Sequence, residues 1–196
     1  MQVHDISFTI LGLESAEALN KTLRSIRHQS FADQMKADVI LAADEAQCRQ
    51  IKKDGSYTRV PVQPHSYGGA CAAALQKARG QYCVFLNCGD TLSKDFTDSC
   101  LSVLEKSKLP FAAVQSYCFI PYLDRDEASL TNNERFLQKH PVNTLQHPDY
   151  LQLSLHGALF RTDVLKEVSF NETLPYNQAG LELSLIHISE PTRHSL

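Results

Sequence analysis

Basic residues are in slight deficit: 19 Lys and Arg stand against 22 Asp and Glu, a net charge of -3. A phosphate backbone would meet no broad positive field, so nucleic acid is not an expected partner. Glycine and proline are sparse, at 8 each in 196 residues, which excludes collagen-like and low-complexity scaffolds. No apolar run approaches the roughly 18 residues that would suggest a bilayer span. The first residues lack the basic start and small-residue cleavage site of a secretion signal. The expectation is a soluble chain, for which a membrane-surface contact stays open. The six cysteines, Cys48, Cys71, Cys83, Cys88, Cys100 and Cys118, contain no Cys-x-x-Cys pair. That argues against structural zinc and fits a reducing cytoplasm.

What is present is 43% hydrophobic and 21% charged, the make-up of an ordinary globular domain. A chain of this length buries roughly 70% of its unfolded surface, enough for one core without disulfides. Residues 6–11 and 39–43 are short apolar runs, and 82–86 is another, as expected of parallel strands covered on both faces. Between them lie helical patterns. Ser15 caps a helix bearing Ala16, Leu19, Leu23 and Ile26, with Glu17 in its first turn and His28 in its last. A short helix covers 45–53, and 58–62 forms a strand that Pro61 pushes to a sheet edge. Cys71, Ala74, Leu75 and Ala78 repeat at helical spacing, with Gly80 in the place of a C-cap.

Phe96, Cys100, Val103 and Leu104 mark the next helix. Extended patterns follow at 111–120 and 155–160, and Thr162 is the expected N-cap of a last helix through Val168. Residues 121–150 are polar and mixed, as in a long functional loop. Alternating strands and helices predict an α/β layered fold with a mostly parallel sheet. Polarity arrives abruptly at Asn87-Cys88-Gly89-Asp90, so chemistry is expected at that strand's carboxyl end.

Several segments in order carry a resemblance: residues 7–11, the helix to His28-Gln29, residues 38–44, Gly68-Gly69, residues 78–90 and Gly157-Ala158-Leu159-Phe160-Arg161. Together, over residues 5–183, they resemble family 2 glycosyltransferases of the Rossmann-like GT-A fold. The most specific piece is 78–90, similar to the family's Ala-x-Gly-Glu-Tyr strand and its following Asp-x-Asp-Asp. The resemblance implies a nucleotide-sugar donor, a polysaccharide, glycan or lipid-linked acceptor, and Mg²⁺ or Mn²⁺ to neutralise the leaving diphosphate. Asn87-Cys88-Gly89 replaces the family's Asp-x-Asp, leaving Asp90 and Asn87 as the implied metal ligands. The same tetrapeptide is also good turn chemistry.

By the same resemblance Asp44, preceded by Ala43 where the family has a second acid, faces the nucleoside; it reads equally as a helix cap. Gly68 and Gly69 would admit a diphosphate to backbone amides, or form a routine loop. His156 borders the acceptor or hydrogen-bonds within the wall. Cys71-Ala72 replaces the family's Arg-Asn. The family's Glu-Asp base falls on Gln178-Ala179, which cannot accept a proton, so the base is unassigned; Glu182, one turn on, could reach the same face or be simply a solvated helix residue. Cys88 has no neighbouring histidine in sequence to activate it.

The missing acids raise an alternative, a catalytically impaired binding or partner module on the same fold. A nucleotidyltransferase of similar layout would need a Gly-rich, lysine-bearing first loop, and Leu11-Gly12-Leu13-Glu14 is not one. Residues 184–196 abandon the pattern and resemble translated adapter read-through. The expected organisation is therefore a GT-A domain over 1–183, incomplete at its carboxyl end, followed by a non-native tail.

Overall fold

The computed structural model describes residues 6–30, 36–51, 55–63, 66–106, 113–115, 155–167 and 170–171. The candidate Glu182, the 121–150 loop, Cys118 and the 184–196 tail lie outside them. The element order is β1 (Ile6–Leu11), α1 (Ala16–Arg27), β2 (Ala37–Asp44), α2 (Glu45–Gln50), β3 (Thr58–Val62), α3 (Tyr67–Lys77), β4 (Tyr82–Asn87), α4 (Phe96–Lys106), β5 (Ala113–Gln115), β6 (Ala158–Arg161) and α5 (Thr162–Lys166). The sheet order is β3-β2-β1-β4-β6-β5. Strands β1 to β4 are mutually parallel, whereas β6 runs antiparallel to both neighbours. The predicted alternation and mostly parallel sheet are both present.

Each face of the sheet carries its own core, which is why the strands read as unbroken apolar runs. Phe8, Ile10, Leu41, Val84 and Leu86 pack with Leu19, Leu23 and Ile26 of α1, Cys48 of α2 and Phe96 and Cys100 of α4. Ile40, Ala42, Cys83, Phe85 and Phe160 pack on the other side with Cys71, Ala74 and Leu75 of α3 and Val164 and Leu165 of α5. The α3 stripe read from the sequence is this buried face. Phe85 meets Phe160 and Phe170 edge-on at ring separations of 6.5 and 6.1 Å. Pro61 lies, as expected, on the edge strand β3.

Several boundaries differ from expectation for physical reasons. Gly80 does not cap α3: Ala78 does, its amide bonding the Ala74 and Leu75 carbonyls. Gly80 is needed for closeness, because a Cβ there would stand 2.5 Å from the Ser7 nitrogen and 2.7 Å from the Ile6 carbonyl carbon. Thr162 is no N-cap; that position is Arg161, and Thr162 is already helical, its amide donating to the Gln81 carbonyl at 3.0 Å. Gly68 and Gly69 stand in the first turn of α3, not in a loop before it. The predicted 155–160 strand begins only at Ala158, and His156 makes an isolated parallel bridge to Phe85.

Candidate functional site

Sheet connectivity locates the crevice. The chain leaves β1 for β2 on one side, and returns from β3 to β4 on the other, so the connections diverge between β1 and β4. In an open α/β sheet, ligands bind outside the carboxyl ends of the strands at such a switch point. Leu11 and Asn87 are register partners there. The segments that flank the crevice are therefore residues 12–14 and 87–90.

The 87–90 turn is closed by its own groups. The Asn87 amide donates to Asp90 Oδ2 at 2.7 Å, and the Asp90 amide donates to the Asn87 carbonyl at 3.0 Å. Gly89 has a φ of 103°, the left-handed region where glycine is at ease. Asn87 and Asp90 are both half-buried. The turn chemistry seen in the sequence is thus real, and it places Asp90 at the crevice with one carboxylate oxygen engaged.

His156 and Tyr67 form a second polar pair. The Tyr67 hydroxyl lies 2.6 Å from His156 Nε2, and the two rings meet edge-on with centroids 6.2 Å apart. Burial lowers the His156 pKa from its ordinary 6.5, while the Asp90 carboxylate and a backbone hydrogen bond with Phe85 push it back upward. His156 therefore leans toward neutral imidazole in the wall, and Asp90 is near enough to act on it. Tyr67 was not singled out in the sequence. Its position before two glycines looked like loop chemistry.

Asp44 ends β2 and caps α2, its Oδ1 accepting from the Ala46 amide at 2.7 Å. Its cap role is explicit. Ser66 caps α3, with its Oγ accepting from the Gly69 amide at 3.1 Å, so this amide is already committed. Cys88 is buried beneath the turn, its thiol 3.9 Å from the Ser15 carbonyl. Among the described residues, no three His, Cys, Asp or Glu side chains converge to hold a metal ion. No helix among them is long and apolar enough to cross a membrane.

The sequence reading also missed a run of polar contacts beneath the turn. Thr22 Oγ1 accepts from the Gly89 amide at 2.9 Å, and Ser25 Oγ accepts from the Leu92 amide at 3.2 Å. Gln29 Nε2 donates to the Ser93 carbonyl at 2.9 Å, while its Oε1 accepts from the Thr97 amide and hydroxyl at 3.1 and 3.0 Å. Thr22 and Thr97 are fully buried and Gln29 is 3% exposed, so the pairings satisfy the side chains of these three, which have little or no access to water.

Comparison of the fold with solved structures gives the architecture its name. TarS 1-349 from S. aureus in complex with UDP superposes with a TM-score of 0.58 at 15% identity, over 94% of this chain and 55% of that one. The chain has a GT-A fold. TarS 1-349 with UDP-GlcNAc matches with a TM-score of 0.55 at 15% identity, over 93% and 54%. Glucosyl-3-phosphoglycerate synthase from Mycobacterium tuberculosis, in complex with Mn²⁺, UDP and phosphoglyceric acid, matches with a TM-score of 0.50 at 16% identity, over 84% and 58%. This GT-A chain spans little more than half the length of those proteins. No family model and no curated protein matches its sequence.

Proposed function

We propose that this chain binds a nucleotide-sugar where β1 and β4 part and transfers the sugar to a glycan or lipid-linked acceptor. The observation that supports the reading most is Asp90, a carboxylate held at the carboxyl end of the central strand β4, at the switch point of a GT-A fold. Asp44, at the end of β2, is suited to accept hydrogen bonds from the nucleoside through its second oxygen. The head of α3, with Gly68 and Gly69, faces the same end of the sheet. His156, with Tyr67, borders the acceptor side. The five described cysteines are free thiols, which supports a reducing, cytoplasmic setting. A membrane-surface location is compatible with a lipid-linked acceptor.

The donor set bears on the cation. Asp90 has one oxygen tied to the Asn87 amide, and no three-ligand cluster exists among the described residues. That fits Mg²⁺ or Mn²⁺ entering with the diphosphate, since such ions take one or two carboxylates and fill their shell with phosphate oxygens and water. Asp90 and the Asn87 side-chain oxygen would be its protein ligands. When bound, the ion would neutralise charge developing on the departing diphosphate. The protein's own part is to hold the carboxylate in place and to keep the adjoining wall dry with the Tyr67–His156 pair.

A second reading, a binding or partner module without turnover, is favoured by the same engaged oxygen on Asp90. Titration calorimetry of UDP- and GDP-sugars with and without Mn²⁺, together with an assay for released sugar, separates the two. Metal-dependent binding with slow sugar release is expected for the transferase. Binding indifferent to metal and without release, or no binding of any nucleotide-sugar, overturns the transferase and supports the module.

A further inference from the structure

We propose that the buried polar face of α1 casts the shape of the 87–90 turn, with Thr22 as the positioning residue for Asp90. Thr22 and Ser25 lie one turn apart on α1, beside the apolar stripe of Leu19, Leu23 and Ile26, and Gln29 follows just past the His28 C-cap. Their partners come in the same order along the loop leaving β4: Gly89, Leu92, then Ser93 and Thr97. The contacts are thus rungs between two chain segments far apart in sequence. Side-chain groups link these residues to one another, because Ser25 Oγ donates to the Thr22 carbonyl at 2.8 Å and Gln29 Nε2, from beyond the C-cap, donates to the Ser25 carbonyl at 3.0 Å.

The first rung matters most for the site. Gly89 lies between Asn87 and Asp90, the two residues whose hydrogen bonds close the turn, and its left-handed φ is fixed where its amide meets Thr22 Oγ1. A hydroxyl at position 22 therefore holds the peptide next to Asp90, in the turn whose Asn87 amide fixes the Asp90 carboxylate. The ladder continues to the Cys88 amide, which donates to the Leu11 carbonyl at 3.2 Å, so the turn is pinned from β1 as well. A preformed turn presents its oxygen without first being ordered by the ligand, which preserves affinity.

This inference rests on the nucleotide-binding reading given above, and the test keeps the two apart. Thr22→Val preserves shape but strands the Gly89 amide, and Thr22→Ser keeps the hydroxyl. Ser7→Ala, at the opposite end of β1, serves as a variant that loses stability away from the crevice. With UDP and Mn²⁺ as the probe, Thr22→Val is expected to weaken binding about tenfold, the scale of one unmade hydrogen bond, whereas Thr22→Ser restores it. Ser7→Ala should lower the Tm with affinity unchanged. Thr22→Val binding UDP as tightly as the native protein, with only a lower Tm, overturns the proposal. Should the native protein bind neither UDP nor GDP, the nucleotide reading falls, and amide exchange then decides the ladder alone. Faster exchange at Asn87 and Gly89 in Thr22→Val but not in Ser7→Ala sustains it, and unchanged exchange overturns it.

Discussion

Ser7 and Gly80 show how much of this fold depends on single atoms. Ser7 Oγ accepts from the Arg79 and Gly80 amides at 3.1 and 2.8 Å and bonds the Asp38 carboxylate, all at the amino end of β1. Ser7→Ala leaves the buried Gly80 amide and the part-buried Arg79 amide without that acceptor and is expected to cost ~1–3 kcal/mol in chemical denaturation. Gly80→Ala drives a methyl into the β1 backbone, which cannot swing aside as a side chain would, and should cost about 3 kcal/mol or prevent folding. A Gly80→Ala protein with native stability would contradict the packing described. His156 gives a pH signature. Its folded pKa is below the ordinary 6.5 because burial disfavours imidazolium, against the pull of Asp90 and Phe85. The unfolded chain therefore binds the proton more readily. The stability from neutral His156 is complete above pH 6.5 and is lost as the pH falls from there through the folded-state pKa. Thermal melts should show the native Tm falling over this acid window more steeply than that of His156→Gln, and parallel curves would reject the assignment.

Element ends separate structural from binding roles. Asp44 caps α2, a contact worth about 1 kcal/mol, and it also stands at the carboxyl end of β2. Asp44→Asn keeps a cap oxygen but loses the charge, so its Tm should stay native while UDP affinity drops; Asp44→Ala should lose both. Unchanged affinity in Asp44→Asn would restrict Asp44 to capping. The Ser15 cap of α1 was legible because its signals are local: the side chain accepts from the Ala18 amide three residues on, and Glu17 follows in the first turn. Thr162 was not legible. A threonine before a helical pattern looks like a cap, but Thr162 is already helical, its amide bonded to the carbonyl of Gln81, the residue just before β4. Likewise nothing near Thr22 and Gln29 in the sequence marks them as buried. Their partners lie more than sixty positions away, where no local pattern reaches.

At the scale of the molecule, the sheet seals its thiols. Cys83 is fully buried and Cys100 nearly so, and burial pushes both pKa values up to about 12. At pH 8 the folded protein should leave both unlabelled by a disulfide reagent, with labelling on addition of denaturant; rapid native labelling of either would contradict the two-layer packing. The sequence alone determined the strand-and-helix alternation, the two-sided burial of β1, β2 and β4, the edge position of β3 and the presence of polar residues where β4 ends. Each follows from composition within a few residues, because an apolar run without alternation has to be covered on both faces. Only the tertiary structure decided that β6 runs antiparallel, that Tyr67 meets His156, and that α1 underlies the Asp90 turn. The three buried residues and one arginine of β6 carry no mark of direction, and a side chain's partner is set by which distant segment the sheet brings beside it.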